Sequence, residues 1–129
     1  MIGRMSVNRA RFFHDWRAGW LWASDEATRG RFGYAIDLSE LGLPPDVVAE
    51  GARLGSWLDT ALNWDSPPDP GPWREEECRR FNVCARVFFD RLSAALGSGW
   101  EIVDEFVEQH EDPDLDGYLA DPRAFRRAD

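Results

Sequence analysis

The stretch WREEECRRFNVCARVFFDRLSAALG, residues 73–97, decides the fold. Cys78, Phe81, Ala85, Phe88, Leu92 and Ala95 recur at alternating steps of three and four, which lays them in one stripe along an α-helix. Glu75, Glu76 and Glu77 occupy the first turn, where carboxylates complement the positive end of the helix dipole, and Gly97 supplies the stop. The spacing predicts a helix over 73–96. An apolar stripe of that length requires a surface to cover it.

Upstream, Pro44 and Pro45 stand where a first helical turn tolerates missing N–H groups, and Asp46 follows. Val47, Leu54, Leu58, Ala61 and Leu62 then repeat at helical spacing, which predicts a helix over 45–63. The remaining apolar segments read as extended chain. Met5, Val7, Phe12 and Phe13 alternate loosely, Gly19 to Ala23 reads Gly-Trp-Leu-Trp-Ala, and a turn is expected around 15–19. Gly30 and Gly33 limit Ser24 to Gly33 to a short turn or connection, although its Ser, Asp and Glu suit a helix start, and 34–38 is a further short extended segment. Trp100, Ile102, Val103, Phe106 and Val107 favour a strand over 100–107, paired with the N-terminal one. The fold class is therefore α+β: an antiparallel helix pair packed on a small antiparallel sheet. A single domain over 1–110 is expected, followed by an acidic loop or C-terminal tail over 111–129 that docks, if at all, through Tyr118, Leu119 and Phe125.

Charge narrows the partner class. Glu101, Asp104, Glu105, Glu108, Glu111, Asp112, Asp114, Asp116 and Asp121 fall in one segment that holds no Arg, whereas the rest of the chain balances 15 acids against 15 Arg. An unpaired field of that sign attracts basic protein surfaces and repels nucleic acid. Every basic residue is Arg, so Schiff-base chemistry, P-loop phosphate binding and a Lys general base are excluded. Cys78 and Cys84, six residues apart on one helix, point to different sides and cannot bridge. They read as small apolar side chains; no metal and no cofactor is expected. No apolar run approaches a membrane span and no signal-peptide pattern opens the chain, so a cytoplasmic protein without membrane contact is the expectation.

Two patterns touch on chemistry. Asp112-Pro-Asp114-Leu-Asp116-Gly117 reproduces the opening of a calcium loop, but Arg123 stands where the closing bidentate Glu belongs, so a solvated acidic loop is the better reading. His14-Asp15 and His110-Glu111-Asp112 set imidazoles beside carboxylates, yet neighbours in an extended chain face opposite ways. No catalytic residue is assigned and no enzyme is expected.

Between the helices lies NWDSPPDPGPW, residues 63–73, whose four prolines stiffen a loop with a Trp at each end. Trp64 and Trp73 either staple the helix pair together or stand out as aromatic anchors for a partner.

Phe12-Phe13-His14-Asp15, Leu21-Trp22, Phe32 to Leu38, Leu41 to Pro45, and Leu62-Asn63-Trp64-Asp65 with Pro67 to Pro70 and Trp73 together resemble a group of small uncharacterised bacterial proteins over roughly residues 10 to 97. In size, acidity and aromatic content the chain is similar to the immunity proteins that neutralise bacterial toxins. That resemblance implies a binding protein that inhibits a basic protein partner, a toxin or nuclease. The expected contact residues are Glu101, Asp104, Glu105, Glu108, Glu111, Asp112, Asp114 and Asp116, with Trp64 and Trp73 as anchors. The alternatives are a small enzyme with a carboxylate site or a calcium-binding module.

Overall fold

A computed structural model describes residues 7–15 and 19–127. Strands β1 (Asn8–Asp15) and β2 (Gly19–Ala23) lead into helix α1 (Glu26–Phe32) and the two-residue strand β3 (Ala35–Ile36). A 3-10 turn at Leu38–Glu40 precedes α2 (Pro45–Asp59) and α3 (Glu75–Leu96); β4 (Trp100–Asp104) and α4 (Leu115–Ala120) complete the order. Met5 and the centre of the turn expected at 15–19 lie outside the described residues.

The four strands form one sheet in the order β3-β2-β1-β4. β1 pairs antiparallel with β2, and β2 with β3, but β4 joins β1 in parallel, with Asn8 opposite Trp100 and Phe12 opposite Asp104. The sheet is thus mixed, and the purely antiparallel expectation is corrected. A parallel neighbour needs a long crossover, and the helical segment between β3 and β4 supplies it. Nothing local in 100–107 records that direction.

One face of the sheet presents Ala10, Phe12, Leu21 and Ile36 to the helices, all at most 2% exposed. Phe81, Ala85, Phe88 and Leu92 of α3 close this core, each 0% exposed, so the stripe read from the sequence is the buried one. The contacts between α2 and α3 run from end to end. Arg91 pairs with Asp46, Trp57 Nε1 donates to Glu77 Oε2 at 2.8 Å, and a Cβ at Gly51 would stand 2.9 Å from Phe88 Cζ. Gly51 therefore sets how closely the helices approach. Its carbonyl also accepts the Trp20 indole N–H at 3.0 Å, tying α2 to the sheet.

Several boundaries move for physical reasons. α1 forms where a connection was expected, because Asp25 caps it by accepting from Thr28 N and Gly33 closes it at φ 84°. α2 stops at Asp59 rather than residue 63: Thr60 caps it, and Asn63 turns to the loop, accepting from Ser66 N and donating to the Pro70 carbonyl. β4 ends at Asp104: Glu105 still donates its N–H to the Phe12 carbonyl at 2.9 Å, and the Asp104 carboxylate then takes the Phe106 N–H in a local turn.

The segment after residue 110 is no free tail. Leu115 is 1% exposed, Tyr118 Oη accepts from Asn63 Nδ2 at 3.0 Å, and Arg127 reaches back to Asp112, Asp114 and the Pro68 carbonyl. Phe125 packs edge-on to Tyr118. The Asp-Pro-Gly composition gave no sign of the helical turn at Leu115–Ala120.

Candidate functional site

The acids of β4 meet arginines that are remote in sequence. Residues two apart on a strand share a face, so Arg9 and Arg11 of β1 stand beside Glu101 and Glu105 on the side away from the helices. Arg9 pairs with Glu101 at 3.2 Å, and Arg11 grips Glu105 in a two-pronged contact of 2.9 and 2.7 Å. That contact holds the Glu105 carboxyl below the usual carboxylate range. Asp104, on the opposite face, takes Arg86 of α3 at 2.6 Å.

The same holds beyond β4. Glu111 exchanges hydrogen bonds with Glu75 at the start of α3, accepting the Glu75 N–H at 3.0 Å and donating its own to Oε1 at 2.9 Å. Those contacts, first the Glu111 backbone and then His110, depress the Glu75 carboxyl. Asp116 pairs with Arg74 at 2.8 Å, and Arg127 binds Asp112 and Asp114 at 2.8 and 3.0 Å, lowering the Asp112 carboxyl. Seven of the eight expected contact acids are therefore engaged, and Glu108 alone of the eight has no ion pair among the described residues. The expectation of an unpaired field over 101–121 is corrected: an absence of Arg nearby in sequence was not an absence of Arg nearby in space. These are exposed pairs, each contributing at most about 1 kcal/mol. The Asp112–Asp116 carboxylates turn towards two different arginines, an arrangement unlike a calcium cage.

The two tryptophans of the proline loop separate. Trp73 is 5% exposed, packs on Trp57 and Phe81, and donates its indole N–H to Thr60 Oγ1 at 2.9 Å. It belongs to the core, which removes it as a surface anchor. Trp64 is 60% exposed and is held by its Nε1, which donates to the Asp59 carbonyl at 2.6 Å. The loop closes tightly because Gly71 lies against Ala61, where a Cβ would come within 1.9 Å of the carbonyl oxygen.

Trp64 forms one lip of a groove of about 560 Å³ to which Asp59, Asp65, Leu115, Tyr118 and Leu119 also contribute. Asp59 in turn lines a second cavity, of about 500 Å³, between β2, the 37–40 turn and α2, together with His14, Trp20, Asp37, Gly55 and Ser56. Burial pushes the His14 imidazole below its ordinary value, against the pull of Asp59 and Asp15. Asp37 and Asp59 have no ion pair among the described residues, and the Oδ1 of Asp59 is buried without a hydrogen bond. Sequence reasoning singled out neither: Asp37 falls in the expected extended segment 34–38 and Asp59 within the expected helix 45–63, and only the fold brings them to one opening.

The small α+β fold thus carries two adjoining grooves edged by carboxylates, with the exposed Trp64 at the lip of one. Residues 8–105 match the family model described as Serratia CdiI immunity protein-like, well over half of the chain, and the chain belongs to that family. The match spans β1 to β4 and so includes Trp64, both carboxylates of the second cavity and the whole sheet, while α4 lies beyond it. No curated protein matches the chain.

Proposed function

We propose that this protein neutralises a toxin by binding it, and that the toxin offers a basic surface. The observation that carries the reading is Trp64, 60% exposed and fixed at the lip of a groove bordered by Asp59 and Asp65, in a chain of net charge −9 that belongs to an immunity-protein-like family. A held indole loses little freedom on binding and offers a large contact area, the profile of an interface hot spot. At distances beyond a few ångströms the paired acids cancel against their arginines, so long-range attraction is left to the uncompensated carboxylates, Glu108, Asp59 and Asp65 among them. Glu101, Asp104, Glu105, Glu111, Asp112, Asp114 and Asp116 contribute at contact range, where a toxin arginine exchanges with the internal one.

In this reading the protein binds rather than catalyses and works in the cytoplasm. Among the described residues no helix is long and apolar enough to cross a membrane, and Cys78 and Cys84 are free thiols, which suits a reducing compartment. The test is capture of the partner from the native source, followed by growth assays. Cells producing the captured partner should arrest alone and grow when the immunity protein is co-produced. Arrest unchanged by co-production would overturn the reading. Trp64→Ala should raise the dissociation rate by about thirtyfold, the equivalent of a 2 kcal/mol hot spot.

A further inference from the structure

We infer that the cavity between β2, the 37–40 turn and α2 receives a basic side chain of the toxin; the inference rests on the toxin-binding reading above. The cavity has the two-part lining that such a side chain needs. Ile36, Leu38 and Val48 offer apolar wall to an aliphatic stem, while Asp37 and Asp59 supply carboxylate to a charged head. None of the described lining residues is an Arg, although Ser39 already donates its N–H and its hydroxyl to Asp37 Oδ1. Burial disfavours the protonated form of His14, so its imidazole opposes an incoming cation less than an exposed histidine would.

The observation that points to a ligand is at Asp59. Its Oδ1 is buried and accepts no hydrogen bond from the chain, although a desolvated carboxylate oxygen is among the most costly groups to leave unmatched. Elsewhere in this protein acids find arginines readily, at Glu101, Asp104, Glu105, Asp112, Asp114 and Asp116. A basic group brought by the partner supplies the ion pair that Asp59, like Asp37, lacks among the described residues. Space is kept for it by the small residues along this side of α2: a Cβ at Gly55 would already touch His14 Nε2 at 3.4 Å. A volume of about 500 Å³ exceeds one side chain, so the segment bearing the basic residue enters with it. Because Asp59 also lines the Trp64 groove, one toxin loop can occupy both.

The test uses the full chain, the toxin purified from the capture experiment, and four variants. Ser56 lines the cavity from an exposed helical position, and Arg and Met are both good helix formers of similar length, so Ser56→Arg and Ser56→Met fill the space with and without a tethered charge. Asp59→Asn removes the charge with little change of shape, and Trp64→Ala reports on the neighbouring groove. The expected result is that Ser56→Arg and Asp59→Asn each raise Kd by at least about tenfold while Ser56→Met changes it by less than about threefold, with melting temperatures preserved. Equal losses for Ser56→Arg and Ser56→Met would mean that a neutral segment fills the cavity, overturning the inference. Unchanged affinity in both Ser56 variants would show that the toxin does not enter, again overturning it, while loss on Trp64→Ala left toxin binding itself intact. No binding by the unmodified chain would overturn both readings together.

Discussion

Phe88→Ala tests the architecture most directly. The ring is 0% exposed and makes an edge contact with Trp20 at 5.7 Å and a tilted one with Phe12 at 6.1 Å, so it joins α3 to both antiparallel strands. Truncating a buried Phe costs about 3–5 kcal/mol in transfer and cavity terms, of which the aromatic contacts represent roughly 0.5–1.5 kcal/mol. Against a total stability of about 5–15 kcal/mol, that loss takes from about a fifth of the margin to all of it. A second substitution sharpens the argument. Gly51→Ala alone places a methyl group 2.9 Å from Phe88 Cζ and 3.1 Å from Leu38 Cδ1, and should destabilise. In the Phe88→Ala background the first clash is gone, and the same change should cost less or even stabilise, since Ala is favoured over Gly in a helix by about 1 kcal/mol. Urea denaturation followed by far-ultraviolet circular dichroism measures all four members of the cycle. A loss below about 1 kcal/mol for Phe88→Ala, or strictly additive effects in the double variant, would refute the packing of α2 on α3 through these two residues.

The two loop tryptophans should behave oppositely: Trp73→Ala should cost about 3–5 kcal/mol of stability, whereas Trp64→Ala should change the denaturation midpoint little and show its effect in toxin binding. Comparable stability losses at both positions would contradict their different burial. The lowered pKa of His14 means that the unfolded chain binds the proton more readily, so stability should rise with pH and fall as pH drops through the ordinary histidine value of 6.5 towards the lower folded one. His14→Gln should flatten the stability–pH curve in that window, and an unaltered slope would assign the dependence elsewhere. Millimolar calcium should leave the melting temperature unchanged, because Arg127 and Arg74 already hold the Asp112, Asp114 and Asp116 carboxylates; a rise abolished by Asp114→Ala would reverse this.

α3 was legible in the sequence almost residue for residue, from Glu75 to Leu96, because a helix is written in spacings of three and four and in the charges of its own first turn. The start of α2 at Pro45 was legible for the same reason, and the total negative charge needed only counting. What lay beyond reach involved residues that meet only when the chain closes. The parallel pairing of β4 with β1 joins positions such as Arg9 and Glu101, and no pattern within either strand states the direction of its neighbour. The same pairing supplies arginines to acids that looked unpaired along the chain. Trp64 and Trp73 sit in one proline-stiffened loop with similar local surroundings, yet one is 60% and the other 5% exposed. Trp57, Phe81 and Thr60, contributed by α2, α3 and the C-terminal cap of α2, made that choice. Local sequence determined which segments could be helices and which side of each had to be hidden, since those follow from backbone periodicity and side-chain solvation. Tertiary structure alone decided which charges cancel, which indole stays in water and where the Asp59 carboxylate is left without a donor, because each depends on distances between residues that the chain sets only by folding.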